Sequence, residues 1–180
     1  NNTGLVRAIV GGRSQDLSGY TLNRAYQSYR QPGSAIKPLI VYTPALENGY
    51  TPDTIVTDQA IENGPENADG AYLGEITLRT AVAKSRNTVA WQIFNELTPH
   101  KCISYLTNMN FQKVSPQDEV PAASIGGFTQ GVSPLEMAKG YATIYNDGKM
   151  RDAGCITAIL DAKGNKIYQS KQEAVVIYQE

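Results

Sequence analysis

One histidine, His100, two cysteines, Cys102 and Cys155, and one tryptophan, Trp91, are all that these 180 residues hold of those three types. The cysteines are too far apart in sequence for metal-ligand spacing, and one imidazole cannot complete a zinc set, so we expect no metal and no cofactor. A Ser-His-Asp triad would have to rest on His100, next to Pro99 at a predicted helix start, which is a poor basis for one. No spacing argues that Cys102 and Cys155 meet, and we read them as unpaired thiols. An excess of charge is also missing: 16 basic against 17 acidic side chains leave a net charge of −1. A surface built for nucleic acid or anionic lipid needs a basic excess, so neither is an expected partner. No apolar run approaches the roughly 18 residues of a membrane span, and no basic segment followed by an apolar one opens the chain. Any anchor or export signal is expected to lie outside these residues. What is present, 41% apolar and 18% charged residues, suffices for a core, and the length suggests one domain.

Leu5 to Val10 reads as a strand stopped by Gly11-Gly12, with a partner strand expected upstream of the chain's start. Arg13 to Gln31 is polar and Tyr-rich without a period. Ser34 to Glu47 has helical apolar spacing and ends at Asn48-Gly49; Pro38 fits its first turn, and Pro44 predicts a kink or local break. Residues 50 to 74, dense in Pro, Gly, Asn and Asp, read as a surface loop with little regular structure. Thr77 predicts a helix cap with the helix running through Lys84, and Asn87 or Thr88 a cap for Val89 to Leu97. Pro99 to Met109 has amphipathic spacing. Ser133-Pro134-Leu135-Glu136 is a capping box for a helix to about Asn146, ended by Gly148. Cys155 to Leu160 and Lys166 to Tyr168 flank a turn at residues 161–165, a hairpin signal.

Two short patterns can carry chemistry. Ser34 and Lys37 stand three apart at a helix start, so their side chains share a face. A hydroxyl needs a base to become a nucleophile, and a lysine serves once burial disfavours its ammonium. The helix start adds a partial positive charge that favours an alkoxide at Ser34. The spacing puts the Ser34 hydroxyl within hydrogen-bond reach of the Lys37 ammonium. About half a Ser-x-x-Lys is expected by chance at this composition, and a serine cap with a solvated lysine fits the same residues. Ser85-Arg86-Asn87 falls at a corner between two helices. There Ser85 can relay a proton and the Asn87 amide can hold a substrate amide, although a Ser/Asn cap pair would look the same.

Longer runs around these residues narrow the choice. Arg30-Gln31-Pro32-Gly33-Ser34-Ala35-Ile36-Lys37-Pro38 resembles the nucleophile segment of the transpeptidase domain of class A, bifunctional penicillin-binding proteins. Ala83-Lys84-Ser85-Arg86-Asn87-Thr88-Val89-Ala90 is similar to that family's second motif. The run from Ile125 to Ala138 resembles its downstream helix-capping segment, and Leu5 to Gly12 the strand and Gly-Gly before the site. All four occur in the family's order, and Ser-x-x-Lys is among the motifs of penicillin-binding proteins. The resemblance covers essentially the whole chain, residues 1 to 180.

The resemblance implies an α/β (α+β) fold of the serine β-lactamase and penicillin-binding-protein type. It implies a D,D-transpeptidase that cross-links peptidoglycan stem peptides through a serine acyl-enzyme and is the target of β-lactams. Ser34 would be the nucleophile, Lys37 the general base, Ser85 a proton relay and Asn87 a substrate-binding amide. The Ser34 N–H would form half of the oxyanion hole. It also implies a parent protein anchored at the extracytoplasmic face of the bacterial cell membrane, with a glycosyltransferase domain. The family's third motif, Lys-Thr-Gly on a strand edging the site, occurs nowhere in the chain. We therefore expect a chain truncated before that motif, helix-rich with few strands, and poorly active or inactive alone. Two alternatives stay open. One is a serine D,D-carboxypeptidase or β-lactamase, separated by comparing hydrolysis with transfer to an amine. The other is a non-catalytic fragment acting as a wall-binding module, separated by acylation with a fluorescent penicillin.

Overall fold

The computed structural model describes residues 3–13, 19–171 and 173–179. Part of the polar stretch Arg13 to Gln31 therefore lies outside the described residues. The chain divides into two compact units, Tyr29–Val132 and the segments on either side of it.

In Tyr29–Val132 a helical run begins with a 3-10 turn, Gly33–Ile36, widens into a π-turn, Pro38–Tyr42, and ends as the α-helix Thr43–Glu47 (α1). Pro44 has no N–H to give Ile40 and its ring would strike that carbonyl. The run meets this before the proline: the Thr43 N–H reaches back five residues to Pro38 O, a π-bulge of the kind often found at functional sites. The break expected at Pro44 thus appears as a change of hydrogen-bond register. Ile36, Leu39, Ile40, Val41 and Ala45 are fully buried, packing on the helices Asn87–Leu97 and Pro99–Asn108, called α3 and α4 below. Each of the four larger side chains contributes about 1.5–3 kcal/mol when taken from water.

Residues 50 to 74 depart from the open loop that their composition suggested. Ile55–Asp58 (β1) and Gly74–Thr77 (β2) pair antiparallel, from Ile55 with Thr77 to Asp58 with Gly74. Thr77 then caps Leu78–Ala83 (α2) by accepting the Thr80 N–H, as its hydroxyl suggested. A corner at Lys84 and Ser85 leads to Asn87–Leu97 (α3), which buries Val89, Ala90, Ile93 and Phe94. Neither Asn87 nor Thr88 caps α3: Arg86 holds the cap position without a side-chain bond. Pro99–Asn108 (α4) and 3-10 turns at Pro116–Asp118 and Pro121–Ile125 complete the unit.

In the flanking unit, Ser133 and Glu136 form the reciprocal capping box of Pro134–Tyr145 (α5). Lys149–Met150 (β3) pairs with Val175–Val176 (β6), and the expected hairpin forms between Ala158–Leu160 (β4) and Lys166–Gln169 (β5). Leu5 to Val10 does not form the expected strand: it makes one parallel bridge, Leu5 to Gly154, because a ladder needs a partner and no other described segment pairs with it. Among the described residues the architecture is helix-rich, with three two-stranded sheets. No helix among them is long and apolar enough to cross a membrane.

Candidate active site

Lys37 lies in the apolar helical run with 1% of its surface exposed, between Ile36 and Leu39, both at 0%. An ammonium there must have all its protons taken up. Its Nζ donates to Ser85 O at 2.8 Å, Asn87 Oδ1 at 2.7 Å and Ser85 Oγ at 3.3 Å. Burial first, and the Arg86 charge second, lower its pKa from 10.5 to about 8. The two short patterns are thereby joined through one side chain.

Ser34 stands one turn earlier on the same run and is exposed. Its hydroxyl is not among the partners of Lys37, contrary to the direct hydrogen bond that the i, i+3 spacing led us to expect. The three ammonium protons are already directed at the second motif. The longest of those bonds, to Ser85 Oγ, is the one most easily exchanged for Ser34.

Ser85 adopts φ +52°, a left-handed conformation that costs a non-glycine residue about 1–3 kcal/mol and is held only where its surroundings require it. The corner that requires it is anchored by Arg86, 3% exposed. Its Nε and Nη1 donate to Asp58 Oδ2 and Asp69 Oδ2, each at 2.8 Å, and its Nη2 donates to Ala71 O. Burial alone would raise the Asp58 carboxyl. The hydrogen bonds from Thr88, Asn67 and Leu73, with the Arg86 charge, outweigh it and hold the carboxyl below its usual range.

The approach to Ser34 is fixed from another side by backbone. Arg30 and Val132 exchange N–H···O bonds of 3.0 and 2.9 Å. The Gln31 amide accepts from the Phe128 N–H at 2.6 Å and donates to Phe128 O. Gly126, at φ +93°, comes so close to Gly33 that a Cβ would stand 2.3–2.5 Å from its backbone atoms, and a Cβ on Gly131 would meet the Arg30 carbonyl at 2.4 Å. Only glycine permits both approaches.

Thus the structure brings Lys37, Ser85 and Asn87 into direct contact, with Ser34 one turn away. Sequence reasoning missed Asp58, Asn67, Asp69 and Gln31; the one signal was that acidic and amide residues crowd 58–69 ahead of a buried arginine. His100 makes none of these contacts; its Nδ1 lies 3.0 Å from Glu119 Oε1. Cys102, buried, and Cys155, exposed, are both free. Among the described residues no group of His, Cys, Asp and Glu could hold a metal ion.

A family model described as the penicillin binding protein transpeptidase domain matches residues 1–179. Penicillin-binding protein 4 of Bacillus subtilis is 36% identical over 99% of this chain and 29% of its own length. Penicillin-binding protein 1A of Pseudomonas aeruginosa is 36% identical over 97% of the chain and 22% of its own length. The chain thus spans about a quarter of these relatives. Among solved structures, penicillin-binding protein 1A of Haemophilus influenzae aligns over 85% of this chain and 24% of its own, with TM-score 0.71 and 28% identity. An imipenem acyl-enzyme complex of penicillin-binding protein A from M. tuberculosis aligns over 87% of this chain and 42% of its own, with TM-score 0.73 and 22% identity, which speaks for the fold. The chain, with class A proteins among its relatives, therefore belongs to the penicillin-binding protein transpeptidase domain family.

Proposed function

We propose that residues 1–180 carry the acylation machinery of a D,D-transpeptidase that cross-links peptidoglycan stem peptides, and that β-lactams acylate the same serine. One observation supports this above the rest: a lysine 1% exposed, one turn from an exposed serine, spends its three protons on the second motif. With a pKa of about 8, about one Lys37 in ten is neutral at pH 7, against roughly one in three thousand for an ordinary lysine.

In this reading the Ser34 hydroxyl gives its proton to neutral Lys37 as its oxygen bonds to the carbonyl carbon of the penultimate D-Ala. The Ser34 N–H, in the first turn where helix N–H groups lack an internal partner, faces the oxyanion. Ser85 passes a proton to the amine of the departing D-Ala as the C–N bond breaks. The ester left on Ser34 is then taken by the amine of a second stem peptide. Asn87 keeps one lone pair and one amide hydrogen beyond its bonds to Lys37 and Glu66 O, enough to hold a substrate amide. We assign the second oxyanion N–H to a Lys-Thr-Gly strand outside these residues. The parent protein is assigned to the extracytoplasmic face of the membrane, anchored and carrying a glycosyltransferase domain.

Intact-mass measurement after incubation with a fluorescent penicillin tests the nucleophile. In a protein carrying these residues together with a Lys-Thr-Gly strand, a single adduct, lost in Ser34→Ala, is expected; persistent labelling at another serine would overturn the assignment. Transfer of a donor peptide to an added amine, exceeding hydrolysis, separates a transpeptidase from a carboxypeptidase or β-lactamase.

A further inference from the structure

Asp58 and Asn67 form a buried polar pair whose hydrogen-bonding capacity is entirely used. Asp58 is 0% and Asn67 4% exposed. Asp58 Oδ1 accepts from Asn67 Nδ2 at 2.7 Å and Thr88 Oγ1 at 2.5 Å; Oδ2 accepts from the Leu73 N–H at 2.9 Å and Arg86 Nε at 2.8 Å. A carboxylate has about four lone-pair sites, and all four are taken. The second Asn67 Nδ2 hydrogen goes to Ala71 O at 3.0 Å, and its Oδ1 accepts the N–H groups of Asn87 at 2.7 Å and Thr88 at 3.4 Å.

Those two N–H groups open α3, which has no cap from its own chain segment. The cap therefore comes from a loop residue twenty positions upstream. Its effect reaches the side chain of Asn87. With the Asn87 N–H on Asn67 and Asn87 Nδ2 on Glu66 O at 2.9 Å, the amide has one orientation, and its oxygen points at Lys37 Nζ. Were the amide turned over, an NH₂ would face the ammonium and a carbonyl oxygen would face Glu66 O, both repulsive. Polar clusters without spare capacity are rigid, because any rotation leaves a buried group unpaired.

We propose that Asn67, locked by the carboxylate of Asp58, is a positioning residue for Lys37 and acts through Asn87. Asn67 does not touch Lys37. It fixes the start of α3 and the Asn87 amide, which presents an acceptor to the ammonium and keeps that lysine in place beside Ser34. Reading Lys37 as the base rests on the function proposed above; the hydrogen-bonded chain from Asn67 to Lys37 does not.

The test is NMR on the 180-residue chain, with no acylation step. Amide exchange at Asn87 and residue 88 and the titration of Lys37 through its 13Cε signal are followed in the native chain, Asn67→Ala and Thr88→Val. Asn67→Ala is expected to speed exchange at both amides about tenfold, the size of a lost helix cap, with amides of α4 unchanged. The Lys37 midpoint is expected to move by about half a pH unit or more in either direction, because its acceptor is no longer held. Thr88→Val keeps the shape and the Arg86–Asp58 pair, removes one of the four donors to Asp58, and should give smaller changes of the same kind, which covers the case in which the alanine variant does not fold. An unmoved Lys37 midpoint in a folded variant, or protected Asn87 and Thr88 amides in Asn67→Ala, overturns the proposal. If penicillin labelling were to show another nucleophile while the Lys37 midpoint still moved, the function would fail and this coupling would stand.

Discussion

The two sides of the candidate site are held in different ways. Lys37 is held by side-chain chemistry: its three protons end on Ser85 and Asn87, which are fixed by the full polar cluster of Asp58, Asn67 and Arg86. The turn that presents Ser34 is held chiefly by backbone shape, through the Arg30–Val132 bridge and the close approach of Gly126 to Gly33, with one side-chain clasp, Gln31 on Phe128. A base whose protonation matters needs a defined electrostatic setting. A nucleophile needs a defined place and an open face. The comparison predicts that breaking the first side costs stability through unpaired charge, while breaking the second costs stability through strain.

The largest effect is expected from Asp58→Ala. It leaves Arg86, 3% exposed, with Asp69 as its one carboxylate partner, and loss of a buried partner costs roughly 3–5 kcal/mol. Trp91 lies in α3 and is the only tryptophan, so its fluorescence in a urea titration reads this unit directly. A midpoint unchanged from the native chain would show that the cluster is not what holds the corner.

Next comes a pH effect. The Lys37 pKa is about 8 when folded and 10.5 ordinarily. Between those values Lys37 binds its extra proton in the unfolded chain and not in the folded one, so the Lys37 contribution to stability rises with pH through that window, against an opposite contribution above pH 9 from the Cys102 thiol, which burial pushes up to about 12. A shift of this size is worth about 3 kcal/mol across the window. Lys37→Met, which removes the buried charge, should flatten this slope while abolishing acylation; the urea midpoint measured from pH 7 to 10.5 in both proteins checks it.

On the backbone side, Gly126→Ala introduces a methyl at φ +93° and 2.3–2.5 Å from Gly33, a cost of about 1–3 kcal/mol. The same urea titration reads it, and the pH slope from Lys37 should remain. Gln31→Ala is the mildest. It removes the clasp on Phe128 while the Arg30–Val132 bridge stays, a loss of about 1 kcal/mol. If Gly126→Ala changed the Lys37 slope, the two sides would not be separate.

How much of this was legible in the sequence follows from the reach of each interaction. The Thr77 cap, the Ser133–Glu136 box, the 158–169 hairpin and the Ser34–Lys37 spacing involve neighbours in sequence, and side-chain type alone indicates them. Asp58 and Thr88 are 30 positions apart, Asn67 and Asn87 twenty, and Gln31 and Phe128 97. The Pro-, Gly- and Asn-rich composition of 50–74 read as a loop because it gives no period. Those asparagines and aspartates were supplying a distant helix start. The absent Ser34–Lys37 hydrogen bond has the same origin, since spacing indicates which side chains share a face but not which distant acceptors compete for the protons.

The most direct test of the account is the pH dependence of penicillin acylation, measured by stopped-flow or quench in a protein carrying these residues, with the adduct mapped by mass spectrometry. With Lys37 as the base, the adduct falls on Ser34 and the second-order rate rises tenfold per pH unit below, and levels above, a midpoint near 8, the Lys37 value. A rate flat from pH 6 to 9, or an adduct on any serine but Ser34, would contradict it.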